Sequence, residues 1–203
     1  MKILSFILLL SLSIISQTVF SQNKQFIKAL GFQMEQPEGW IEMSEVEARE
    51  NISKMRLEDP EFKKYILEQK GMLQLATLMK YNPKKHAGLI PAIKVHFNIN
   101  PFDDFDKFVE AMENSMKEFE KVLENYKYAV EPTIVILNGQ KVFYFVAEFD
   151  MTFKNKGVWK VRSKTYIVPY GGYYYQINFT GGQEEEQCTE IFEEAIKTIK
   201  FNQ

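Results

Sequence analysis

Residues 142–168 read VFYFVAEFDMTFKNKGVWKVRSKTYIV, and this stretch decides the fold. Phe143, Phe145, Ala147, Phe149, Met151 and Phe153 alternate with Val142, Tyr144, Val146, Glu148, Asp150 and Thr152. Successive residues of a strand point to opposite faces, so the first set makes a core face. A second run, Val158 to Val168, follows Asn155-Lys156-Gly157, which suits a three-residue hairpin loop with Gly157 left-handed. This loop predicts a register in which Phe153 faces Trp159 and Met151 faces Val161 on the buried side. On the other side Asp150 faces Arg162 and Glu148 faces Lys164, opposite charges directly across the ladder.

After the hairpin, a further strand over Tyr173 to Thr180 follows the Gly171-Gly172 turn. A last helix is expected to begin near Gly182-Gln183, with Glu184, Glu185 and Glu186 complementing the dipole in its first turn. Its apolar face is Cys188, Ile191, Phe192, Ala195 and Ile196, and Thr198 to Phe201 end the chain in extended form. Upstream, Phe105, Phe108, Val109, Met112, Met116, Phe119, Leu123 and Tyr126 recur at three- and four-residue steps. They predict a long amphipathic helix after Pro101, packed on the sheet. Before it stand two strands, Met72 to Lys80 and Leu89 to Asn98. Asp59-Pro60 predicts a short helix with Asp59 as N-cap, striped by Phe62, Tyr65 and Ile66 and closed by Gly71. Ser44 with Glu47 forms a capping box for an earlier helix. Phe26 to Met34 reads as a small hairpin around Leu30-Gly31, running into the turn Pro37-Glu38-Gly39-Trp40.

The first 21 residues are expected to leave the mature protein. Lys2 supplies a positive start, Ile3 to Ile15 are mostly apolar, and Val19 and Ser21 fit a signal peptidase site before Gln22. The apolar run is short for a membrane-spanning helix, which needs about 20 such residues. Residues 22–203 then form a single domain that is exported, to a periplasm or outside the cell. The single cysteine, Cys188, is not at the cleavage site, so no lipid anchor is expected, and it has no intrachain disulfide partner. The chain is 45% hydrophobic and 26% charged, a globular composition. Its net charge of −2 argues against nucleic acid or an anionic membrane as the main partner.

In order, these elements resemble the PsbP-like superfamily, which includes a photosystem II extrinsic protein, a Ran-binding nuclear transport factor and phage-sensitivity envelope proteins. The resemblance lies in the opening Phe32-Gln33-Met34 to Pro37-Glu38-Gly39-Trp40, the long middle helix and the antiparallel strands. The ending matches too: Tyr174-Tyr175-Gln176-Ile177-Asn178-Phe179, a helix, then Thr198-Ile199-Lys200-Phe201. It implies an α+β fold, an α-β-α sandwich around a central antiparallel sheet, and a non-enzymatic accessory or binding role. The helical stretch Ser44 to Gly71 is longer than the family pattern.

Candidate chemistry is sparse. His86 and His96 lack further ligands at zinc spacing and read as exposed or edge-strand residues. Asp103, Asp104 and Asp106 lack the glycine and distal glutamate of a calcium loop and read as a helix cap. Glu148 and Asp150 read as cross-strand ion-pair partners rather than an acid-base pair, and Cys188 as a buried, inert thiol. No catalytic, metal or cofactor residues are assigned. Partner binding is expected at Lys84, Lys85 and His86 in a basic loop, and at Tyr173 and Tyr175 in a tyrosine cluster with Tyr170 and Tyr174. The expected partner is an envelope protein. The alternative is a carrier of a small apolar ligand, suggested by 17 phenylalanines and 9 methionines.

Overall fold

The hairpin of residues 142–168 forms, but two residues out of the expected register. Strand β7 (Gln140–Phe153) pairs with β8 (Gly157–Tyr170) so that Phe153 lies opposite Gly157, Met151 opposite Trp159 and Phe149 opposite Val161. Gly157 keeps the left-handed backbone expected of it, with φ 81°, yet stays inside the ladder opposite Phe153. A shift of two preserves the faces, because side chains alternate with period two. The charges therefore still meet, now as Glu148 opposite Arg162 and Asp150 opposite Lys160. The structure, a computed structural model, describes residues 25–44, 50–52, 54, 56–153 and 157–202. The leader expected over 1–21 and the capping partner Glu47 lie outside them.

In chain order the elements before this hairpin are β1 (Phe26–Ala29), β2 (Phe32–Glu35), β3 (Ile41–Glu42), α1 (Pro60–Glu68), β4 (Met72–Met79), β5 (Ala92–Ile99), α2 (Phe105–Val122) and β6 (Glu124–Leu137). After it come β9 (Tyr173–Gly182), α3 (Thr189–Lys197) and β10 (Lys200–Phe201). Among the described residues, seven strands form an antiparallel sheet in the order β3-β4-β5-β9-β8-β7-β6, and β1-β2-β10 form a small second sheet.

Both faces of the large sheet are covered. On one, Phe108 and Met116 of α2 pack with Phe143, Phe145, Ala147 and Ile167. On the other, α1, α3 and the small sheet enclose a larger core with Phe32, Phe62, Phe97, Tyr175, Phe179 and Phe192. This is the expected α-β-α sandwich, with a three-stranded sheet added to one outer layer. The second face of β7 is therefore also buried: Val142, Val146 and Glu148 are 0, 5 and 6% exposed.

The helix ends follow their caps. Asp59 accepts a hydrogen bond from the Glu61 N–H at 2.9 Å, with Pro60 opening α1. At the other end Lys70 is already left-handed, with φ 60°, and Gly71 donates back to the Ile66 carbonyl at 2.8 Å. Asp104 accepts from the Lys107 N–H at 3.0 Å and starts α2. The α2 stripe stops short of its expected end. Leu123 is extended and Asn125 turns left-handed, with φ 54°, so Leu123 and Tyr126 belong to the exit and to β6. Strand β5 begins at Ala92 rather than Leu89.

The last helix also differs. Strand β9 runs on through Gly182 and α3 starts at Thr189, so Glu184 to Glu186 lie in a loop and not in a first helical turn. Cys188 caps the helix in a left-handed conformation instead of lying in its first turns, and still packs against the core that the helix covers. The hydrogen bonds explain this: Gln183 N–H donates to the Lys160 carbonyl and Gly182 N–H to the Glu186 carbonyl, both at 3.1 Å. The chain is thus held to the sheet for one more residue and then folded back on it.

Phe97 sits at the centre of the larger core, fully buried, with ring centroids 4.9 Å from both Tyr173 and Tyr175 and 6.3 Å from Phe62. Phe97→Ala is expected to cost about 3–5 kcal/mol, the range for a large buried side chain that leaves a cavity. Urea unfolding followed by circular dichroism measures it, and a loss below about 1 kcal/mol would be typical of a surface site instead.

Candidate functional site

The basic loop between β4 and β5 is built on Asn82. Its side-chain oxygen accepts from the Lys84 N–H at 2.9 Å, and its carbonyl from the Lys85 and His86 N–H groups at 2.9 and 3.1 Å. Lys84 and Lys85 therefore stand exposed on a fixed turn. His86 folds back and stacks on Tyr81, with ring centroids 4.4 Å apart.

Across from this loop lies the segment that folds back after β9. Its anchor is Glu186, which receives Lys80 Nζ at 2.6 Å on one oxygen and the Tyr81 hydroxyl at 2.9 Å on the other. Glu186 holds a left-handed backbone with φ 55°, unusual outside glycine, so the double contact fixes a conformation that the chain alone disfavours. Gly182 makes the fold-back possible, because a Cβ there would overlap the Glu185 carbonyl oxygen. Between the two loops and the start of β8 runs an open groove of about 460 Å³, with His86 and Leu89 on one wall, Val158, Trp159 and Lys160 on another, and Gln183 to Glu186 on the third.

The electrostatics of the groove are those of closed ion pairs. The hydrogen bond from Lys80 holds the Glu186 carboxyl below the usual carboxylate range, against a smaller opposing effect of burial. The same contact, with Tyr81, raises Lys80 above an ordinary lysine. Burial pushes the Cys188 thiol up, with Lys80 acting weakly against it, so the thiol stays protonated and is a poor nucleophile at neutral pH.

Of the expected partner-binding residues, the structure brings His86 into the groove, with Lys84 and Lys85 beside it on the same turn. Tyr173 and Tyr175 are corrected to core residues. Tyr175 is fully buried with its hydroxyl donating to the Leu30 carbonyl, and Tyr173 is 7% exposed with its hydroxyl on the Leu57 carbonyl at 3.0 Å. Strand-end tyrosines of this kind serve as anchors between layers, apolar in body and satisfied at the tip.

The remaining candidates are dispersed. His96 lies on β5 in the row His96, Gln176, Ile167, Phe143, on the α2 side of the sheet. Burial, with Lys94 adding to it, lowers its pKa and keeps the imidazole neutral at neutral pH. Glu148 is on the opposite face of β7, ion-paired with Arg162 and with Lys127 at 3.1 Å. Burial alone would raise its pKa, but the two cations outweigh that and hold the carboxyl below its usual value. Asp150 accepts from Asn125 Nδ2 at 2.7 Å on the exposed flank. The three groups do not converge on one pocket. Among the described residues no three His, Cys, Asp or Glu side chains gather as a metal group, and no helix is long and apolar enough to cross a membrane.

Nothing local in the sequence marks Lys80, Tyr81, Trp159 and Glu186 as residues of one site. Lys80 and Glu186 are 106 positions apart, and the glutamate run looked like a helix start. Glu186→Gln is expected to lower stability near neutral pH by about 1 kcal/mol, the upper end for a partly exposed ion pair. The folded-state pKa of Glu186 is below its unfolded value, so its contribution is present above the ordinary carboxylate range and is lost as pH falls through the folded pKa. Denaturant melts of the two proteins should converge in acid; a constant gap at every pH would remove the charge from the explanation.

No protein-family model matches the chain, and no curated protein matches it. Solved structures do. LpqN, "involved in cell envelope biogenesis of Mycobacterium tuberculosis", superposes with a TM-score of 0.52 at 12% identity, covering 91% of this chain and 88% of that one. A Bacteroides thetaiotaomicron VPI-5482 structure gives 0.46 at 16% identity, over 90% of this chain and 49% of the other. Cyanobacterial PsbP from Synechocystis sp. PCC 6803 gives 0.46 at 9% identity, over 84% and 86%. At 12% identity the likeness to LpqN is one of fold alone; the α-β-α sandwich around an antiparallel sheet is the architecture that the PsbP-like resemblance implied.

Proposed function

We propose that this chain is an exported, soluble, non-catalytic binding or accessory protein of the cell envelope, and that the groove between the basic loop and the Glu186 segment receives its partner. The observation that carries this reading is the fixed, open groove: its walls are held by Asn82 and by the Lys80–Glu186–Tyr81 contacts, while Lys84 and Lys85 stand exposed on the turn that carries His86 into it. Preorganised walls with a half-buried Trp159 and the exposed charges Lys160, Glu184 and Glu185 suit recognition, because little ordering is left for binding to supply. The state of the titratable groups supports the non-catalytic part. Glu186 and Glu148 are locked in ion pairs, Cys188 is pushed away from the thiolate, and His96 lies in the body of the sheet. The envelope setting is supported by the fold shared with LpqN and by the export signal read in residues 1–21.

A photoreactive phenylalanine analogue in place of Lys84 tests this in envelope fractions. A discrete adduct is expected from position 84, and none from the same probe at Leu67, an exposed residue of α1. Identical adducts from both positions, or none from position 84, would count against the groove.

A second reading, a carrier of a small apolar ligand, is favoured by one observation. Val146, Phe179 and Phe192 floor a depression of about 290 Å³ beside α3, with Arg162 and Lys164 at its rim. Its size is at the lower end for ligand pockets. Native mass spectrometry of the purified protein is expected to show a bound species under this reading. A bare polypeptide mass, with no displacement of an apolar dye, removes it.

A further inference from the structure

We propose that the free edge of the large sheet is a self-association surface, on which Thr133 to Leu137 of β6 pair antiparallel with the same segment of a second copy of this chain. Among the described residues strand β6 ends the sheet order, so alternate backbone N–H and C=O groups along it face outward with no ladder partner among them. Its two halves are built differently. From Glu124 to Thr133 the pairing with β7 is interrupted three times, and the half carries Lys127, Glu131 and Pro132. Bulges, charges and proline are the usual devices that keep an edge from pairing. From Thr133 to Leu137 the register is regular and the residues are Thr-Ile-Val-Ile-Leu, with no charge and no proline. There Ile134 is 41% and Ile136 67% exposed, on the side of the sheet that α2 covers.

The segment is its own complement. A two-fold axis at Val135 sets Ile134 opposite the partner's Ile136, and Ile136 opposite the partner's Ile134, so the exposed isoleucines cover one another. Thr133 then meets the partner's Leu137, and Glu131, the nearest charge, falls beside the partner's Gly139 rather than against a like charge. Closed two-fold contacts need this reciprocity. Sliding the register by one residue per strand keeps the two-fold axis but loses this match of the isoleucines. Moved toward the chain start, Pro132 enters the ladder without an N–H to donate; moved the other way, the pairing runs into the Asn138-Gly139 turn. The regular half and the central axis therefore select the same pairing, and the product is one sheet continuous across two copies.

Sedimentation equilibrium of the purified protein is expected to show a concentration-dependent monomer–dimer equilibrium. Ile134→Lys and Ile136→Lys each place two like charges across the axis and should weaken the dimer at least tenfold. Leu67→Lys, on α1 away from the edge, should not. Unchanged near-ultraviolet circular dichroism in the variants confirms that they fold. Register is read separately: Val135→Cys in a Cys188→Ser background should form a disulfide-linked dimer under mild oxidation, since the axis sets the two positions opposite each other within disulfide reach. A wild type monomeric at every concentration overturns the proposal. So does a dimer that Ile134→Lys leaves intact, or one that Val135→Cys does not link.

Discussion

A seven-stranded antiparallel sheet covered on both sides needs apolar residues at both parities of its central strands, and this requirement shapes the rest of the molecule. Antiparallel sheets often leave one face to water, giving a clean alternation of apolar and polar residues. Strand β7 does not follow that pattern. Phe143, Phe145 and Ala147 meet α2, while Val142 and Val146 meet the opposite layer. Glu148 belongs to the second face and is enclosed with it, which makes its partners obligatory. A buried carboxylate without a cation would be strongly destabilising, and Arg162 directly across the ladder together with Lys127 satisfies it. Both covering layers must then be supplied by other parts of the chain. One is α2, and the other combines α1, α3 and the three strands drawn from the two ends of the described chain.

The features legible in the sequence are those whose cause is local. The alternation of 142–153, the stripe of 105–119, Asp59 before Pro60 and the Leu30-Gly31 turn each state their structure within a few residues. What was not legible depends on distant partners. The hairpin register differs by two because Gly157 serves the turn from within the ladder, a choice that side-chain period alone cannot make. The start of α3 moves to Thr189 because Gln183 and Gly182 find hydrogen-bond partners on Lys160 and Glu186, and a run of three glutamates does not reveal this.

The candidate site shows the same division. Lys84, Lys85 and His86 stand out as a short basic run and do form a prominent turn. The groove that His86 lines exists because Lys80 and Tyr81, at the end of one strand, hold Glu186 from a loop more than a hundred residues later. Tyr173 and Tyr175 show why composition misleads here. Tyrosine is common at interfaces because it joins an apolar ring to a polar tip, and the same pairing suits a layer boundary inside the core. Tyr175 packs against Phe32, Phe97 and Phe201 while its hydroxyl is satisfied by the Leu30 carbonyl.

These observations also bear on how a domain without a disulfide holds irregular loops in place. Its one cysteine stands at the start of α3, beside the segment that the Lys80–Glu186 pair secures. In a cystine-rich domain a covalent bridge would restrain that fold-back. Here a side-chain ion pair about one-third exposed on each member does so, and it also pins a left-handed glutamate. A surface pair of this exposure contributes modestly to global stability. Its effect is local: it sets the position of one wall of the groove relative to the basic turn, and local geometry is what a recognition surface requires.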